Sequence, residues 1–215
     1  MSWIKTFLIS DSLFLADSAP WASDAFSSLC HVVSSCKNFK VRIKSAAALA
    51  IPADRGCYGD SERFGRVWRS LATALENSED TNDFFEYRYS DSLRLTLSHA
   101  LLHLLAVSRS QDMPALEASL AGDEGRSIKE HLIKYLRAEE GGEGGGGGGG
   151  GEGAEGEKEA GGDSVTPQQR VAGLQQTLVR LKELEAEGEG REEEERSKET
   201  VVGFLQDLLQ ICKEA

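Results

Sequence analysis

Two imidazoles stand four residues apart in HALLH, His99 to His103. On a helix that spacing puts both on one face, as in zinc proteases. The position after the first histidine, where that chemistry needs a general-base glutamate, holds Ala100, and no third ligand is evident in sequence. A second temptation is Cys30-His31 with Cys36. Adjacent helical residues point about 100° apart, so His31 is badly placed as a base for Cys30. The glycine tract ends in no GK[ST] and follows no strand, which excludes a phosphate-binding loop. No catalytic residue, metal ligand or cofactor is therefore assigned, and no small-molecule substrate is expected.

Binding chemistry has two better candidates. Lys37, Lys40, Arg42 and Lys44 concentrate positive charge and could touch a phosphate or an acidic partner. The bland reading is a solvated helix face with one structural arginine. The segment DFFEYRY, Asp83 to Tyr89, holds Phe84, Phe85, Tyr87 and Tyr89. These rings cannot all face one core from a single helix, so they pack between helices or form an aromatic binding patch. Lys37, Lys40, Lys44, Phe85, Tyr87 and Tyr89 make up the candidate partner surface.

Helices must position all of these. Apolar spacing is helical almost throughout residues 1–137, and no alternating strand pattern appears. The spacing predicts helices over 22–36, about 40–50, 61–76 and roughly 84–107. Phe64, Val67, Trp68, Leu71 and Leu75 lie on one face of the third. Pro114 starts a short helix that Gly122 to Gly125 end, and Ile128 to Leu136 close the block. In SVTPQQ, Pro167 suits the first turn of another helix, whose narrow stripe is Val171, Leu174, Leu178 and Leu181. A last helix is expected from about Lys198 to Lys213. The fold class is all-α.

Charge separates the foldable parts from the solvated ones. The formal net charge of −12 sits in two tracts, −7 over 138–163 and −6 over 183–199, which leaves the rest near +1. Residues 138–163 hold 14 glycines and no aromatic or branched aliphatic residue. Such a tract cannot offset its ordering entropy by burial, so 138–165 reads as a flexible linker between 1–137 and a C-terminal helix pair over 166–215. A near-neutral block gives nucleic-acid binding little electrostatic support. The opening MSWIKTFLISDSLFLA is faintly like a signal peptide, but Asp11 interrupts the apolar run and the positive region is Lys5 alone. A first amphipathic helix is the preferred reading. No run approaches the roughly 20 apolar residues of a membrane span. Four cysteines without a CxxC pair suit free thiols in a reducing compartment, which makes cytoplasm or nucleus the expectation.

The leucines hide a repeat. VRIKSAAAL (Val41–Leu49) aligns with LRLTLSHAL (Leu93–Leu101) at an offset of 52 residues, each in the second helix of a pair. Arg42 matches Arg94, Ala48 matches Ala100 and Leu49 matches Leu101, while His99 falls on Ala47. A weaker echo, IKEHLIKYL, follows from Ile128 to Leu136 with Lys129 at the arginine position. Tandem helix pairs at this spacing are the mark of an α-solenoid.

NFKVRIKSAAAL resembles the second-helix signature of a HEAT repeat, with Asn38 where that family usually carries aspartate. Over about Ala19 to Leu105, and again in VVGFLQDLLQIC, the chain is similar to the C-terminal part of a HEAT repeat-containing protein of the HEAT/armadillo type. The resemblance implies stacked antiparallel helix pairs whose joints use Asn38, Val41, Arg42, Ala48 and Leu49, and Leu93, Arg94, Ala100 and Leu101. It also implies that Arg42 bridges to an acidic residue of the adjoining repeat, for which Asp91 and, as a neutral substitute, Asn38 are the candidates. The expected function is a non-enzymatic protein-binding scaffold, its partner unnamed. A nucleoprotein accessory using Lys37 to Lys44 is the alternative class, and an enzyme the third.

Overall fold

The computed structural model describes residues 20–79, 89–139, 165–185 and 191–214. Among them are eight α-helices and no strand: α1 Pro20–Ser35, α2 Phe39–Leu49, α3 Ser61–Glu76, α4 Ser90–Val107, α5 Met113–Leu120, α6 Gly122–Arg137, α7 Pro167–Glu183 and α8 Arg191–Lys213. The glycine tract, the first nineteen residues and the rings of Phe84, Phe85 and Tyr87 lie outside the described residues.

Local chemistry sets the starts. The Asn38 side chain accepts from the Val41 amide at 3.1 Å, and Asp60 accepts from the Arg63 amide at 2.7 Å, so each fills an orphan donor of α2 or α3. Thr166 and Gln169 form a reciprocal capping box ahead of Pro167 at the head of α7. On α3, Phe64, Val67, Trp68, Leu71 and Leu75 are all buried, one stripe at 3.6-residue period.

Two expected boundaries move. The helix that Ile128 announces begins at Gly122, so Gly122 and Gly125 form its first turn. Gly122 has φ 71°, in the left-handed region that favours glycine. A Cβ on Gly125 would overlap the Leu120 carbonyl, so that glycine lets α6 fold back closely on α5. The last helix starts at Arg191 and absorbs part of the acidic run. Glu192, Glu193 and Glu194 occupy its first turn, where the macrodipole favours negative charge.

The helices pack in an ordered way. α1 lies against α2 and α3, α2 against α4, and α3 against α4. The third pair continues the pattern, with α5 on α3 and α6 on α4. First helices thus neighbour first helices, and second helices neighbour second. The last pair departs from this: α8 runs along α5 and touches α6, while α7 packs on α8 and rests on α4 and α6. One apolar core joins all of it, from Ala22 and Phe26 on α1 through Leu93 and Leu97 on α4 to Leu205 and Leu208 on α8.

Candidate functional site

Arg42 sits in the first turn of α2 and is buried. Its Nε donates to the Val33 carbonyl at 2.8 Å and its Nη2 to the Ala74 carbonyl at 3.1 Å. Those oxygens belong to the last turns of α1 and α3, where intrahelical donors run out. One guanidinium therefore holds two helix C-termini at the N-terminus of a third, with charge of the sign the dipoles favour. Phe39 lies 5.2 Å under the guanidinium, and burial pushes its pKa down. The acidic bridge implied for Arg42 is not what the structure has. Asn38 caps its own helix, and Asp91 pairs with Arg94 at 3.1 Å. Main-chain carbonyls take the place of a carboxylate because two helix ends converge there.

Arg94, the sequence match of Arg42, sits in a different setting. Its Nε donates to Ser78 Oγ at 3.2 Å, just past α3, and its ion pair with Asp91 is exposed on the acid side. Around the two arginines, Ala48 and Leu49 on α2 and Leu93, Ala100 and Leu101 on α4 are buried where those helices meet. Val41 is half-buried.

The same device recurs at sites that sequence periodicity does not reveal. Arg180 on α7 donates to the Leu105 and Ser108 carbonyls, both at 2.8 Å, at the end of α4. Arg170 donates to Tyr135 and Ala138 at 2.8 and 2.9 Å, at the end of α6. Arg137 reaches the Ile211 carbonyl of α8 at 2.6 Å. A further joint is a buried bidentate ion pair. Arg55 Nε and Nη2 bond the two Asp112 oxygens at 2.6 Å each, and the Arg109 amide adds a third donor at 2.8 Å. It ties the α2–α3 loop to the turn before α5.

The candidate partner surface is only partly assembled among the described residues. Lys40 Nζ stands 4.9 Å over the Tyr89 ring, so α2 and the start of α4 bring that pair together. Lys37 and Lys44 are exposed on the same stretch. The two histidines part company despite their common face. His103 Nε2 lies 2.8 Å from the Pro52 carbonyl, whereas the His99 ring faces Tyr135 at 6.2 Å. Desolvation lowers both pKa values, helped at His99 by His103 and Arg170. Among the described residues no three His, Cys, Asp or Glu side chains gather as metal ligands.

A second basic feature lies away from Lys37 to Lys44. Arg63, Arg66 and Arg69 recur every third residue of α3 and line a cavity of about 200 Å³ against α1. Their spacing was the available signal, masked by the apolar stripe interleaved with it.

Comparison with known proteins adds little to this geometry. No family model matches the chain, and no solved structure matches it. A stretch of 98 residues, 45% of the chain, is 32% identical to an uncharacterized protein of Dictyostelium discoideum. The chain spans only 6% of the length of that relative, so the matched region is a small part of a far larger protein. Among the described residues, no helix is long and apolar enough to cross a membrane.

Proposed function

We propose that the chain is a segment of a HEAT-type α-solenoid and works as a non-enzymatic protein-binding scaffold inside the cell, in the cytoplasm or nucleus. The observation that carries this reading is the order of packing, α1 beside α3 beside α5 and α2 beside α4 beside α6. Stacked pairs bury their apolar faces on each other and leave rows of exposed helix surface for a partner. Arg42 supports the reading by fixing the register of three helices at one point. Lys37, Lys40, Lys44 and Tyr89 are the surface proposed to meet the partner, which would present acidic side chains to it.

The test is affinity capture with the full chain and with Lys37→Glu/Lys40→Glu/Lys44→Glu, each first checked for wild-type helicity. A partner held by the wild-type chain and lost by the variant supports the assignment. Recovery of the same partners by both chains removes this surface from the proposal. Retention on heparin that collapses with salt, and with the variant, would instead favour the polyanion-binding alternative.

A further inference from the structure

Helix α1 carries two apolar stripes, and only one of them enters the core. Ala22, Phe26, Leu29 and Val33 are buried. Trp21, Ala25 and Val32 recur at helical spacing beside them, and the row continues to Cys36, one residue past the helix. Trp21 is 42% exposed, and Ala25, Val32 and Cys36 are half-buried. Ser23, Ser27 and Cys30 on another flank of α1 face the cavity against α3. At 100° per residue the second stripe lies about 160° from that flank. It therefore faces outward at the end of the row formed by α1, α3 and α5. On α3, the next helix of the row, every apolar residue is buried, and Glu62, Arg66, Arg69, Thr73 and Glu76 make the exposed face. The end of a stack of helix pairs needs a polar outer face or a cap, and α1 has instead the apolar flank of an inner helix.

We propose that residues 1–19 of this chain cover that flank, as a helix antiparallel to α1. The segment runs directly into α1 at Pro20, and as a helix it would span about 28 Å, against about 24 Å for the 16 residues of α1. Six of its eight large apolar residues form two adjacent stripes, Trp3, Phe7 and Phe14 beside Ile4, Leu8 and Leu15. Asp11 is the polar break in that surface. The second stripe of α1 has its own break at exposed Ser28, between Ala25 and Val32. A turn ahead of Pro20 brings Leu15 level with Trp21 and Ala25, Asp11 with Ser28, Leu8 with Val32, and Ile4 with Cys36. In that register apolar side chains meet apolar ones, and the Asp11 carboxylate meets a hydroxyl donor. Both surfaces then leave water together, which is the driving force for the contact.

Hydrogen exchange on the wild-type full chain is the first arm of the test. Amides of residues 3–15 should exchange about tenfold or more below their intrinsic rates. Exchange at the intrinsic rates overturns the proposal. The second arm locates the segment through Cys36, with iodoacetamide modification at each cysteine followed by mass spectrometry. Leu8→Asn/Leu15→Asn should speed reaction at Cys36 about tenfold and leave Cys57 and Cys212 unchanged. Ser2→Asn/Thr6→Asn, on the opposite side of the segment, should leave Cys36 at its wild-type rate. Where the double leucine variant also exposes buried Cys57, Leu8→Ala takes its place in the same comparison. Protected amides with no change at Cys36 would seat the segment elsewhere and overturn the assignment, as would equal acceleration by both variants. A Cys36 rate that falls as the wild-type chain is concentrated from about 1 to 100 µM overturns it too, because a second copy is then the cover.

Discussion

Replacing Arg42 by alanine removes both hydrogen bonds to helix ends and leaves the Val33 and Ala74 carbonyls without a charged donor. Hydrogen bonds to a charged group contribute about 1.5–3 kcal/mol each, so the gross loss is about 3–6 kcal/mol. Releasing a buried guanidinium to solvent returns part of that, since burying a charge is itself costly. The expected net loss for Arg42→Ala is about 2–4 kcal/mol. Arg42→Lys should fall between, because one ammonium on a flexible stem cannot hold two carbonyls in the guanidinium's fork geometry. Arg94→Ala is the internal control. Its ion pair joins a partly exposed arginine to an exposed aspartate, and its Nε adds one bond to buried Ser78, so about 1–2 kcal/mol, less than at Arg42, is expected despite the matching sequence position. Urea unfolding of the full chain, followed by helical circular dichroism, gives all three values. A loss below about 0.5 kcal/mol for Arg42→Ala, or equal losses at 42 and 94, would refute the claim that Arg42 joins the helices.

Breaking the buried Arg55–Asp112 pair with Asp112→Ala should cost about 3–5 kcal/mol, and Arg55→Met/Asp112→Leu less than either single change, as a double-mutant cycle would report. Ala46→Leu and Ala48→Leu should each cost about 1–3 kcal/mol by overpacking, whereas Ala47→Leu on the half-buried side should be nearly neutral in melting temperature. Burial lowers the His103 pKa, so its contribution is fully present above the unfolded value near 6.5 and is lost as pH falls from there through the lower folded value; His103→Gln should flatten that part of the stability–pH curve. Bonds from Ser197 at 2.6 Å and Thr200 at 2.8 Å lower the Glu117 pKa, so its contribution stands above the unfolded value near 4.5 and disappears as pH falls below it. Ser197→Ala/Thr200→Val should remove that acid-side dependence, visible in unfolding midpoints across the pH range.

Much of the helical framework was legible because apolar period and punctuation are local signals. Ser61–Glu76 was readable to the residue, since Asp60 caps one end and the stripe from Phe64 to Leu75 runs unbroken. The start of α8 was not, because Glu192 to Glu194 carry no apolar signal and are favoured there by the helix dipole. Gly125 looked like a terminator, although its role is to let α6 approach Leu120, a tertiary demand invisible in one dimension. Arg42 was conspicuous from its recurrence, but its acceptors were not, since a carbonyl belongs to every residue and marks none. Arg55 and Asp112 lie 57 residues apart with nothing in either neighbourhood to announce the pairing. The arginine row facing α1 has a regular three-residue spacing, but the buried stripe from Phe64 to Leu75 on the same helix is the stronger periodic signal and hides it.

The arginine joints carry an evolutionary asymmetry. At Val33, Ala74, Leu105, Tyr135 and Ile211 the acceptor is the backbone, so the side chain there can change without breaking the bond. Only the donor is constrained. Substitutions at the two ends of such a joint need not compensate each other, and covariation between positions 42 and 74, or 180 and 105, should be weak even though they touch. Divergent copies of this architecture could then keep their helix register on a few arginines while nearly everything those arginines grip drifts.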